Sequence, residues 1–110
     1  MQTESTGRPG VYLVVEFNWP RPVQPGHGQD ARALHDAIQG QTWLAETVAA
    51  SGGLGGGPSS IWIFRLENYG ALDRLLGSDD DPVALAYRTF FSQMVDVSER
   101  IREPVLFRRS

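Results

Sequence analysis

The run VYLVVEFNW, residues 11–19, alternates without a break: Val11, Leu13, Val15, Phe17 and Trp19 fall on one face, Tyr12, Val14, Glu16 and Asn18 on the other. That period specifies a strand with one wholly apolar face and one mixed face. A second run, IWIFRLE at 61–67, repeats the pattern, with Trp62, Phe64 and Leu66 opposite Ile61, Ile63, Arg65 and Glu67. Strands of this kind need helices over their apolar side, so the chain between and after them is read for amphipathic segments. PRPVQPGHGQ, 20–29, is too rich in proline and glycine for regular structure and reads as a long loop. Asp30 then caps a helix over 31–50, whose stripe is Leu34, Ile38, Gln41, Ala45 and Val48 with Leu44 beside it, stopped by Ser51-Gly52-Gly53.

The glycine-dense SGGLGGGPSS, 51–60, reads as a weak or bulged edge strand. Asn68 caps a short helix over 69–76 that Gly77 ends, and Asp81-Pro82 opens a longer one running to about residue 100. Its apolar face is broad, with Ala86, Phe90, Met94, Val97 and Ile101 on one stripe and Tyr87, Phe91 and Val95 on a neighbouring one. PVLF, 104–107, reads as a short closing strand before a basic, exposed end. Residues 1–10, MQTESTGRPG, carry no apolar period and read as a flexible tail, which leaves 11–110 as one domain. The order fits an α+β fold, a ferredoxin-like βαββαβ sandwich, better than a doubly wound sheet. One sheet face then lies bare, with Tyr12, Glu16, Asn18 and Arg65 on it, and a second copy is the natural cover.

Composition narrows the chemistry. The chain has 110 residues, 41% hydrophobic and 21% charged, which suits one domain. There is no cysteine, so disulfides, thiolate nucleophiles and cysteine-ligated metals are excluded, and a reducing cytoplasm is the expected location. Net charge is −3 with the signs scattered, so neither nucleic acid nor an anionic membrane is an expected partner. All ten basic residues are arginine, which removes Schiff-base chemistry. No segment reads as a signal peptide or a membrane span.

The opening strand VYLVVEF, the turn VQPGHGQDARAL, the strand and short helix IWIFRLENYGALDRLL, and DPVALAYRTFFSQMVDVSERIREPVLF together resemble the dimeric α/β barrel superfamily, and within it the NIPSNAP-like branch. The resemblance spans most of the chain but includes no catalytic signature. Two departures stand out: the second strand is reduced to glycines, and Glu16 and Asn18 replace the usual aromatic-threonine pattern of the first. The resemblance implies a homodimer whose two sheets enclose a small hydrophobic molecule. It also implies a class of cofactor-free enzymes, either proton-transfer cyclases and isomerases on aromatic or polyketide-like metabolites, or monooxygenases of antibiotic pathways, beside members without known activity.

Several residues suit such chemistry. Glu16, on a strand with apolar flanks, reads either as a proton-transfer group or as the salt-bridge partner of Arg65, which could hold an enolate or carboxylate oxygen. His27, in the Pro-Gly-His-Gly loop, and His35, on the first helix, read as general bases or as ordinary loop and helix-face residues. Tyr12, Asn18, Trp43 and Trp62 are the candidates for binding substrate, against the plainer reading of the aromatics as core. No metal site is expected, since His27, His35 and Asp36 lack a ligand spacing and Asp79-Asp80-Asp81 is explained by the cap it contains. GGLGGG lacks the Lys-Ser/Thr of a phosphate loop, and haem would have only the two histidines as axial ligands, so no cofactor is expected. A non-catalytic ligand carrier or accessory subunit is the remaining reading.

Overall fold

Both alternating runs form central strands. The computed structural model describes residues 10–107. In chain order the elements are β1 (Val11–Asn18), α1 (Pro25–Ile38), β2 (Leu44–Ser51), β3 (Ser60–Leu66), α2 (Tyr69–Gly77), α3 (Pro82–Phe91) and β4 (Val95–Arg102). The strands make one sheet in the order β2-β3-β1-β4, every neighbouring pair antiparallel. The helical connections α1 and α2–α3 each step over a strand, which places all three helices against one face. Val11, Leu13, Val15 and Phe17 of β1 and Trp62, Phe64 and Leu66 of β3 form the sheet side of the core, each at most 6% exposed. Leu34, Ile38, Leu75, Val83, Phe90 and Phe91 close it from the helices.

The two central strands are buried by alternation alone, and the caps follow the expected chemistry. The Asn68 side chain accepts from the Ala71 amide at 2.8 Å, and Asp81 Oδ1 accepts from the amides of Val83 and Ala84 at 2.8 and 3.3 Å. Pro82 follows at the first helical position, where a missing amide costs nothing.

The boundaries of the outer elements differ from the expected ones, for physical reasons. α1 begins at Pro25, so half of the expected 20–29 loop is helical. Gln24, not Asp30, is its cap residue, and the Gln24 amide donates to His27 Nδ1 at 2.9 Å. The helix ends at Ile38 and not at 50, with Gly40 at a φ of 83° just beyond it. Residues 44–51 are instead the edge strand β2, paired with β3 from Leu44↔Leu66 to Ser51↔Ser60. Only Leu44 of β2 is buried, so nothing in LAETVAAS enforces a period of two, and its alanines and glutamate favour helix locally. Pairing with β3 overrides that preference.

The glycine segment is therefore a hairpin loop and not an edge strand. The Gly52 amide donates to the Ser59 carbonyl at 2.7 Å, and Gly52, Gly53, Gly55 and Gly57 all take positive φ, a conformation that glycine adopts without strain. At the other edge, α3 ends at Phe91 and not near 100, and VDVSERIR becomes β4. Val97 and Ile101 lie four residues apart, a spacing that fits both a helical stripe and one side of a strand. PVLF is not a closing strand: it carries no strand pairing, and Val105, Leu106 and Phe107 are 72, 58 and 89% exposed.

The expected tail lies outside the described residues apart from Gly10, and the basic end beyond 107 lies outside them as well. Gly10 is buried, and a Cβ there would stand 2.7 Å from the Leu66 carbonyl oxygen. Gly10→Ala is expected to cost about 1–3 kcal/mol, read as a lower urea midpoint at unchanged slope. A midpoint equal to wild type would show that the β1–β3 end is free to open. No helix among the described residues is long and apolar enough to cross a membrane.

Candidate functional site

The β1–β3 register sets Phe17 opposite Ser60 and Val15 opposite Trp62, and the β2–β3 register adds Ser51 opposite Ser60 and Ala49 opposite Trp62. These positions share the helix side of the sheet, where α1 passes over them with Ala31. Two alanines facing two large aromatics leave the space unfilled. The result is a cavity of about 250 Å³ walled mainly by Phe17, Trp19, Ala31, Ala49, Ser60 and Trp62. Its polar edge is the hydroxyl pair of Ser51 and Ser60, whose Oγ atoms are 2.6 Å apart, with Ser59 Oγ outside the lining 3.4 Å from Ser60 Oγ in the same row. Trp62 is 6% exposed, and its indole Nε1 is buried without a hydrogen-bond partner among the described residues. An orphaned buried donor is uncommon and costs roughly 1–3 kcal/mol, a local cost that the surrounding packing carries.

One turn further along α1 from Ala31 lies His35, and Glu46 lies three residues before Ala49 on β2. His35 Nδ1 is 2.8 Å from Glu46 Oε1. The carboxylate can only accept, so Nδ1 carries the proton and neutral His35 presents Nε2 as its acceptor. Glu46 pairs across the sheet with Phe64, which puts it on the helix side of the sheet. Nothing in the sequence marked Glu46, because a helix over 31–50 would set residues 35 and 46 three turns, about 16 Å, apart along its axis.

Among the described residues no helix packs over the opposite face of the sheet. Tyr12, Val14 and Glu16 stand there beside Ile61, Ile63 and Arg65 of β3 and Arg100 and Arg102 of β4. Arg100 Nη1 donates to Glu16 Oε1 at 2.9 Å, whereas Arg65 lies opposite Tyr12 and Ala45, four residues from the position facing Glu16. The Glu16–Arg65 pair expected from the sequence is thus not formed. Arg100 was hidden as a partner by its place in an expected helix.

The remaining expected site residues are dispersed. His27 caps α1 through its Nδ1. Asn18 clamps two segments, accepting from the Ser59 amide at 2.8 Å and donating to Asp96 Oδ2 at 3.1 Å. Trp43 is buried in the core, its Nε1 on Gln41 Oε1 and its ring 4.0 Å from the Arg74 guanidinium. Only Trp62 lines the cavity, and His35 stands one helical turn from Ala31, outside the lining.

The one buried phenol among the described residues, Tyr87, is held neutral. Burial pushes the Tyr87 hydroxyl well above its ordinary range, aided by its hydrogen bond to Glu99 and the charge of that carboxylate. That makes Tyr87 a donor and not a base near neutral pH.

No family model matches the sequence, and no curated protein matches it. Solved structures do. A hypothetical Arabidopsis thaliana protein determined in solution superposes with a TM-score of 0.68 at 12% identity, over 91% of this chain and 92% of the other. A crystal structure from Thermobifida fusca, described as a dimeric ferredoxin-like protein of unknown function, superposes with a TM-score of 0.59 at 17% identity, over 86% and 91%. The fold is ferredoxin-like. At these identities the likeness extends to the fold alone. Within this ferredoxin-like chain the helix-side cavity and the uncovered sheet face are separate surfaces, on opposite sides of β1 and β3.

Proposed function

We propose that the chain is a cytoplasmic, homodimeric small-molecule protein of the dimeric α/β barrel kind, taking a small, planar, largely apolar ligand into the helix-side cavity. The observation that carries this reading is the cavity itself, walled by Phe17, Trp19 and Trp62 and edged by the Ser51 and Ser60 hydroxyls. An aromatic slot offers dispersion and stacking to a flat ligand, and a few polar groups at the rim fix its orientation. Homodimerisation is supported by the uncovered face, where Tyr12, Val14, Ile61 and Ile63 are only partly buried in one copy. The Thermobifida fusca relative in fold is described as dimeric, which agrees. The NIPSNAP-like branch rests on the motifs quoted from the sequence. We assign the chemistry to cofactor-free proton transfer of the cyclase or isomerase type.

Native mass spectrometry of the purified protein, first gentle and then denaturing, tests binding and assembly together. The expected result is a dimer carrying a small mass that is lost on denaturation, or that can be restored by adding an aryl ketone such as 2-tetralone. Ala31→Phe, which fills the cavity from α1, is expected to weaken that binding at least about tenfold while leaving the dimer intact. A monomer that takes up no ligand would overturn the reading.

A further inference from the structure

We infer that His35 and Glu46 form a general-base dyad serving the cavity, and that the ligand is an enolisable carbonyl compound which the protein deprotonates and reprotonates at carbon. This rests on the cavity being the ligand site. Three observations carry it. Ala31 and His35 are four residues apart on α1, so their side chains stand one above the other, and one of them lines the cavity. His35 Nδ1 is held by Glu46 Oε1 at 2.8 Å, which fixes the ring and its tautomer and leaves Nε2 as the acceptor of the neutral ring. Glu46 is 19% exposed and His35 43%, so the carboxylate is sheltered while the imidazole remains reachable.

The other histidine cannot serve the same way. His27 Nδ1 already accepts from the Gln24 amide at the start of α1. Glu16 is on the far side of the sheet and engaged by Arg100. Asp30 accepts from Gln93 Nε2 at 2.7 Å.

The hydroxyl row supplies the second half of the chemistry. Ser60 is 2% exposed and lies 2.6 Å from Ser51 Oγ, and one hydroxyl of such a pair spends its proton on the other. The remaining proton is left to donate to a ligand oxygen. With a ketone bound, His35 Nε2 takes a proton from the carbon next to the carbonyl, and the C–H electron pair becomes the enolate C=C. The carbonyl π pair moves to oxygen, where the hydroxyl row stabilises it. Return of the proton from Nε2 to the same or another carbon of the enolate restores a ketone and the neutral imidazole. No electrons leave the system and no co-reactant is consumed. Glu46 touches no ligand; it is a positioning residue that orients the imidazole and stabilises the imidazolium formed in between.

Deuterium uptake by 2-tetralone in heavy water, followed by proton NMR, tests this, with tryptophan quenching as the parallel measure of binding. Wild-type protein is expected to accelerate exchange at the carbon beside the carbonyl, with saturation. His35→Gln should lower the saturated rate about a hundredfold, the usual size of a general-base contribution. Glu46→Gln should lower the same rate about tenfold with the half-saturating concentration unchanged, a split that a merely structural tether would not produce. Exchange no faster than buffer in protein that binds 2-tetralone, or exchange that survives His35→Gln, overturns the dyad and leaves the cavity reading standing. Quenching that is absent in wild type, or unaffected by Ala31→Phe, overturns the cavity reading and the dyad with it.

Discussion

Phe90→Ala is expected to be the most damaging single truncation, costing about 3–5 kcal/mol. Phe90 is fully buried and meets Phe17, Trp19, Trp62 and Phe91 edge-on at centroid distances of 5.6, 5.4, 5.5 and 4.9 Å. Removing the ring deletes its transfer free energy and opens a void that four rigid aromatics cannot close. A domain of this length has only about 5–15 kcal/mol in hand, so the variant should be marginal at 37 °C. Phe90→Leu separates volume from geometry: it keeps most of the apolar bulk and loses the edge-to-face contacts, for an expected cost of about 1–2 kcal/mol. Urea titrations of both variants give the comparison. Equal losses for Ala and Leu would mean that the ring geometry, and not the filled volume, supplies the stability. Three of the four partners wall the cavity, so Phe90→Ala should also abolish ligand binding.

The same aromatic cluster shows which parts of the fold were legible. β1, β3, α2 and the start of α3 could be read because each carries a signal that only one structure satisfies. Alternation of large apolar residues is incompatible with a helix stripe, and Asn68 and Asp81-Pro82 mark ends chemically. The edge strands carry no such signal. β2 buries only Leu44, and β4 puts Val97 and Ile101 at a spacing that suits both periods. What makes them strands is the row of open hydrogen-bonding groups on β3 and β1, which lies outside the local sequence.

The site was less legible than the fold for the same reason. Arg100 was assigned to a helix, so the partner chosen for Glu16 was Arg65. Glu46 was assigned to the helix of His35, so their pairing went unseen although His35 itself was singled out. Trp62 was singled out as a substrate-binding candidate, but the cavity beside it is made by Ala31 and Ala49, whose only contribution is to be small. Absence of bulk has meaning only when two elements face each other, and that is a property of the assembled layers.

Asp81 is the position where one side chain ties α2 to the start of α3, and Asp81→Ala is expected to cost about 2–3 kcal/mol. Its Oδ1 caps α3, and its Oδ2 accepts from Arg74 Nε at 2.6 Å while the Arg74 guanidinium stacks over Trp43 at 4.0 Å. Losing the carboxylate therefore frays α3 and releases the clamp between α2 and the start of β2. Asp81→Asn keeps a cap oxygen but sets an amide donor where Oδ2 accepts from Arg74, so it removes the charge and that hydrogen bond together and should cost about 1 kcal/mol at pH 7, the half-exposed arginine limiting the ion pair. The pH dependence distinguishes the two contributions. Burial alone would raise the Asp81 carboxyl, but the Arg74 hydrogen bond and the two amides outweigh it and hold it below its ordinary value. Between the lowered folded value and the unfolded one near about 3.9, the unfolded chain binds the extra proton, so stability rises with pH there. The charge contribution is complete above that window and disappears as pH falls through the folded value. Wild type and Asp81→Asn should therefore differ at pH 7 and converge in acid, whereas Asp81→Ala should remain the weaker fold even there. A gap between wild type and Asp81→Asn that persists unchanged at the acid end would show that cap geometry, and not charge, is what Asp81 supplies.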